Sequence, residues 1–141
     1  MIVADTNLIA YLSIPGDHTE EAERVYRKDP FWAAPLLWKS EFRNTLAAHV
    51  KYQKFDLKEA VRLMNNAALL LHQREFQVTS SKVLSLAVES GLTAYDCEFV
   101  SLAQELGIRL VTLDAKILAG FPNVALSPKA FIKNGKSGRN V

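Results

Sequence analysis

Two short aliphatic runs that each end on an aspartate, Ile2-Val3-Ala4-Asp5 and Leu110-Val111-Thr112-Leu113-Asp114, constrain this chain most. Runs of that length and composition read as strands buried on both faces, and such strands occur in parallel sheets covered by helices. The rest of the chain alternates in the same way. Residues 8–13 form a helix capped by Asp5-Thr6-Asn7 and stopped by Pro15-Gly16. A polar helix over 18–28 precedes a strand at 31–34, and Pro35 opens a long helix over 36–53. Asp56 caps a helix reaching about residue 72, followed by a short strand at 76–78. Two helices follow, one ending at Gly91 and one running from Thr93 to Gly107. A strand over 109–113, a short helix to Gly120 and a strand at 124–126 complete the pattern. The alternation predicts an α/β fold, an α/β/α sandwich whose short, mostly parallel central sheet is flanked by helices.

At 141 residues there is room for one core. A hydrophobic fraction of 49% with 23% charged residues fits a globular chain and excludes a disordered one. No basic export segment precedes Ile2-Val3-Ala4, and the longest aliphatic run, 67–71, is too short to span a bilayer, so no membrane partner is expected. The single cysteine, Cys97, cannot form an intrachain disulfide, which points to a reducing, cytoplasmic setting. The net charge is only +2, but it is unevenly spread. Residues 115–141 carry Lys116, Lys129, Lys133, Lys136 and Arg139 and no acid, leaving 12 basic against 15 acidic residues, a net of −3, before them. The expected division is a folded domain over 1–132 and a flexible basic C-terminal tail over 133–141 that meets phosphates.

Four acids stand out by position. Ligands of a parallel sheet bind beyond the carboxyl ends of its strands, where Asp5 and Asp114 both fall, although each is also a good helix cap. On the helix over 36–53, Glu41 lies about 60° from Trp38, inside the apolar arc that includes Phe42 and Leu46. Asp96 falls beside Val100 and Ala103 on the apolar arc of its helix, which also takes in Tyr95, Phe99, Leu102 and Leu106. Glu98, about 200° away from Asp96, shares the solvent side with Glu105. Carboxylates in core-facing stripes are costly unless paired or bound to a cation. Gathered together, these four are stable as carboxylates with a cation, and an all-oxygen set favours Mg²⁺ or Mn²⁺ over zinc. Such an ion activates water toward a phosphate ester.

The ordered set of Ile2-Val3-Ala4-Asp5-Thr6-Asn7, Trp38-Lys39-Ser40-Glu41, Leu92-Thr93-Ala94-Tyr95-Asp96, Leu102-Ala103-Gln104-Glu105-Leu106-Gly107 and Leu110-Val111-Thr112-Leu113-Asp114 resembles the PIN domain. More narrowly, it resembles the VapC toxins of toxin–antitoxin pairs. The likeness runs to about Leu126. It implies a magnesium-dependent endoribonuclease with catalytic, metal-binding acids at Asp5, Glu41, Asp96 and Asp114, supported by Asn7 and Thr112. It also implies a homodimer, a cognate antitoxin and a structured RNA substrate such as tRNA or ribosomal RNA. Glu98, next to Cys97, is a departure that adds a possible extra carboxylate.

Lys39, Arg43 and Lys116 are candidate phosphate contacts, whereas Cys97, His18, His49 and His72 read as packing or surface residues. The helix after Asp56 carries more apolar surface than a small core needs, as a dimer or antitoxin interface would use. Two other functions compete: a binding module on a PIN scaffold without catalysis, and a haloacid-dehalogenase-like phosphatase. The second needs an acid where this chain has Asn7.

Overall fold

The computed structural model describes residues 1–134. Its elements run β1 (Ile2–Ala4), α1 (Thr6–Ser13), α2 (Thr19–Lys28), β2 (Trp32–Pro35), α3 (Leu37–Tyr52), α4 (Leu57–Leu70) and β3 (Glu75–Phe76). They continue as α5 (Ser80–Ser90), α6 (Ala94–Leu106), β4 (Leu110–Val111), α7 (Ala115–Gly120), β5 (Ala125–Leu126) and α8 (Pro128–Lys133). The sheet order is β3-β2-β1-β4-β5, and every pairing is parallel. The α/β sandwich expected from the alternation is the fold observed.

β1 lies at the centre, between β2 (Val3 opposite Ala33) and β4 (Ala4 opposite Val111). The chain builds outward from β1 through β2 and β3, then returns to its other side for β4 and β5. The strand order therefore reverses between β1 and β4, the place where an open α/β sheet leaves a crevice at its carboxyl edge. Ile2, Val3, Ala4, Leu110 and Val111 are fully buried, as strands covered on both faces must be. α6 is enclosed around most of its circumference, with Cys97, Phe99, Val100, Ser101, Leu102 and Ala103 all buried. Gly91 and Gly107 end α5 and α6 with φ of +74° and +65°, a left-handed turn that costs other residues free energy.

Several expectations need correction. Pro35 ends β2 instead of opening α3. The neighbouring amides of Ala34 and Leu36 donate to Arg74 and Phe76 across the β2–β3 ladder, so the missing proline donor falls on the side facing β1, at the end of that pairing. β3 occupies 75–76, one residue earlier than predicted and shorter, and β4 spans only 110–111. Backbone bonds from Leu110 and Thr112 to Val124 and Leu126 nevertheless extend the predicted β4 pairing. Tyr95, placed on the apolar arc of α6, is 63% exposed at the helix's first turn. α8 was missed, although Ser127 caps it by accepting from the Ala130 amide and Pro128 stands in its first turn. The proposed tail boundary therefore falls inside α8, and residues 135–141 of that tail lie outside the described residues.

The excess apolar surface of α4 is real: Leu57, Val61 and Leu69 are exposed. Between α3 and α4 lies an open groove of about 390 Å³, lined chiefly by Leu46, Val50, Leu57, Val61 and Met64. Among the described residues no helix is long and apolar enough to cross a membrane.

Candidate active site

Strand geometry delivers the first two acids. Asp5 follows β1 and caps α1, its Oδ1 accepting from the Thr6 amide at 2.7 Å. Asp114 follows β4 and caps α7, its Oδ1 accepting from the amides of Lys116 and Ile117 at 2.8 and 3.1 Å. Both are helix caps, as their positions allowed, and both line one cleft at the carboxyl edge of the sheet. The helices deliver the other two. Glu41 projects from α3 and Asp96 from the first turn of α6, whose Thr93 cap accepts from the Asp96 amide at 3.1 Å. The cleft, of about 240 Å³, is lined by Asp5, Thr6, Asn7, Glu41, Asn44, Thr45, Asp96 and Asp114. No lysine or arginine is among them.

Two buried threonines hold the acids in place. The Thr112 hydroxyl, fully buried, donates to Asp5 Oδ2 at 2.5 Å and accepts from the Asp114 amide at 3.0 Å. It thus ties the two strand ends of the cleft to each other. Thr6 donates from its hydroxyl to Glu41 Oε1 at 2.6 Å, linking α1 to α3. Thr112 was expected as a supporting residue. Thr6 was not, because its role depends on a contact 35 residues away that no local pattern signals. Replacing Thr112 with valine keeps its shape but strands the Asp114 amide and one Asp5 oxygen. Urea unfolding of Thr112→Val is expected to show a loss of roughly 1–3 kcal/mol, the cost of unpaired buried polar groups.

The electrostatics follow from burial among like charges. Burial pushes the Asp5 carboxyl up to about 6, the threonine and amide bonds oppose this, and the nearby Glu41 and Asp114 charges add to it. Burial also raises Glu41, with Asp96 adding to the effect against the Thr6 bond. Glu98 corrects an expectation. It does not stand clear on the solvent side with Glu105, but is half-buried and raised by burial and by the Glu41 charge. From Cys97 to Ala103 most of the circumference of α6 is covered, and Glu98 within that stretch is close enough to α3 to feel the Glu41 charge. Glu98 does not, however, line the cleft.

The cluster was expected to hold a metal ion. Among the described residues no three His, Cys, Asp or Glu side chains close into a ready-made cage. The donor set still fits a hard cation that keeps several of its waters and takes only one or two carboxylates directly, as Mg²⁺ does. Every acid lining the cleft offers oxygen, no soft ligand lies among them, and among the described residues no lysine or arginine lines it. Of the basic residues expected near phosphates, Lys39 pairs with Glu75 at 3.3 Å, Arg43 borders the apolar groove, and Lys116 is exposed beyond the cleft. Cys97 is buried against the Ser90 hydroxyl, His18 lies against Tyr11, and His49 bonds the Thr45 carbonyl, all as packing residues.

A family model of the PIN domain matches residues 2–124. Ribonuclease VapC3 of Pyrobaculum aerophilum is 29% identical over 126 residues, covering 86% of this chain and 95% of that protein. Two solved structures share the fold. The crystal structure of PAE2754 from Pyrobaculum aerophilum superposes with a TM-score of 0.73 at 24% identity, over 94% of this chain and 96% of that one. A toxin–antitoxin complex from Klebsiella pneumoniae gives 0.69 at 20% identity, over 91% and 98%.

Proposed function

Since this chain belongs to the PIN-domain family, we propose that it is a metal-dependent endoribonuclease and the toxin of a toxin–antitoxin pair. Membership also removes the phosphatase alternative. The observation that carries the proposal is the convergence of Asp5, Glu41, Asp96 and Asp114 from two strand ends and two helices on one cleft with no basic side chain among the described residues that line it. Four intact acids in one cleft are what a binding module without catalysis has no need to keep.

Asp5, Glu41, Asp96 and Asp114 would hold Mg²⁺, or Mn²⁺ in its place. When bound, the ion supplies Lewis acidity, which makes water nucleophilic near neutral pH and offsets charge building on a phosphodiester. The chain's own residues prepare the cleft. Thr112 orients Asp5 through Oδ2, and Thr6 orients Glu41 through Oε1, so each acid presents its remaining lone pairs in a fixed direction. Asp114 has Oδ1 committed to the α7 cap, leaving Oδ2 for the cleft. Below about pH 6 Asp5 takes up a proton, which relieves part of the repulsion among the acids when no metal is bound.

The relative VapC3, called a ribonuclease, supports RNA as the substrate, and structured RNA is the form proposed here. A solved toxin–antitoxin complex of the same fold supports an antitoxin partner. The apolar groove between α3 and α4 offers a surface that either the antitoxin or a second copy in a homodimer would cover. Incubating purified protein with structured RNA in EDTA, and then in excess Mg²⁺ or Mn²⁺, tests the reading. Cleavage is expected only with metal. Equal cutting in EDTA that persists in Asp5→Asn would mean a contaminating nuclease, and equal cutting lost in that variant would overturn the metal mechanism.

A further inference from the structure

A phosphodiester entering this cleft meets acids on several sides, and a single divalent ion leaves the four carboxylates with excess negative charge. Something lining the cleft has to donate hydrogen bonds to the phosphate without being a lysine or arginine. Four neutral residues line it: Thr6, Asn7, Asn44 and Thr45. Both threonine hydroxyls are committed as donors, Thr6 to Glu41 Oε1 at 2.6 Å and Thr45 to the Glu41 carbonyl at 3.2 Å. The side-chain amides of Asn7 and Asn44 are exposed, and neither makes a hydrogen bond within the described residues. They are the lining side chains with N–H donors still to give.

Asn7 had already been marked by its place in the first motif. Asn44 was not, yet it stands three residues after Glu41 on α3, on the same side of that helix, and lines the same cleft. An amide suits this position. Its Nδ2 donates to a non-bridging phosphate oxygen, as asparagine commonly does on nucleic-acid backbones, without adding a positive charge that would pair with the carboxylates and displace the metal. Resting on the ribonuclease reading, we infer that Asn44 is a phosphate-contacting residue that holds the RNA backbone against the acid cluster through its side-chain N–H.

Two substitutions test this against the alternative that Asn44 uses its carbonyl oxygen as a metal ligand. Asn44→Ala removes both functions, and alanine at an exposed helical position leaves α3 intact. Asn44→Asp keeps the oxygen, removes the donor and adds a charge. Steady-state cleavage of a short RNA and Mn²⁺ binding by calorimetry without RNA are measured for both proteins. For Asn44→Ala, KM should rise about tenfold, the worth of one hydrogen bond to a charged group, while kcat stays within about threefold. For Asn44→Asp, KM should rise further, roughly a hundredfold, because repulsion joins the lost bond. Mn²⁺ affinity should be unchanged in the first and no weaker in the second. An unchanged KM in Asn44→Ala overturns the inference, as does a loss of Mn²⁺ affinity in Asn44→Ala that Asn44→Asp restores. The wild-type protein separates the two levels: if it neither cleaves RNA nor binds Mn²⁺, the ribonuclease reading falls and takes this inference with it.

Discussion

Asp5→Asn is expected to cut metal-dependent cleavage by about a hundredfold or more, a loss of roughly 3 kcal/mol of transition-state stabilisation, while the metal-free protein becomes more stable at neutral pH. The two effects have one cause. Asp5 titrates near 6 in the folded protein against an ordinary 3.8, so its ionised form is disfavoured by folding. The sign follows from that direction: the stability linked to this group is fully present below about pH 3.8 and is lost as pH rises through about 6. That shift corresponds to about 3 kcal/mol, set against about 1 kcal/mol for one of the two bonds, from the Thr6 amide or the Thr112 hydroxyl, that asparagine with its single oxygen gives up. Metal-free wild-type protein should therefore melt at lower temperature at pH 7.5 than at pH 5, and Asp5→Asn should flatten that difference. Saturating Mg²⁺ should raise the melting temperature of wild type more than that of the variant. A variant that cleaves like wild type would remove Asp5 from the metal site. In cells, wild-type protein expressed without a partner should arrest growth, and Asp5→Asn should relieve the arrest.

Trp38→Ala is expected to remove about 3–5 kcal/mol of folding stability, out of the roughly 5–15 that a domain of this kind has in total. Trp38 is fully buried, stacks on Phe42 with ring centroids 6.1 Å apart, and donates from Nε1 to Glu75 Oε1 at 2.7 Å. That same carboxylate oxygen meets Lys39 Nζ, so the residue bolts the start of α3 to β3, one turn before Glu41. Trp38→Phe, which keeps most of the packing and gives up the hydrogen bond, should cost only about 1–2 kcal/mol. Urea unfolding of both variants decides the matter, and a loss under about 1 kcal/mol for the alanine variant would contradict the packing described.

What could be read beforehand was what local pattern encodes. Asp5 and Asp114 are announced by the aliphatic runs before them, and Glu41 and Asp96 by carboxylates standing in apolar helical arcs. These signals need only strand direction and a 100° helical step. The missing parts depend on distance or on packing from several sides. Thr6 is an unremarkable helix-start residue until α3 comes alongside it. Glu98 was placed by a wheel that assumes one wet face, which α6 lacks between Cys97 and Ala103. Tyr95 erred the other way, since an aromatic in a first turn lies beyond the layer that the rest of the helix packs against. Pro35 carried an ambiguous signal, equally at home at a helix start and at a strand's end. The Ser127-Pro128 start of α8 was legible but went unread just before the basic tail.

The central place of β1 has a consequence in time. Its Asp5 waits for Thr112, 107 residues further along, before it is held, and at about 5–20 residues per second of synthesis that interval is roughly 5–20 s. During it the first acid has no partner strand on one side, and the cleft lacks the wall that Asp114 supplies. A cleft whose first and last acids share one hydroxyl cannot be assembled piecemeal. The cleft is complete only once the chain has been made as far as Asp114.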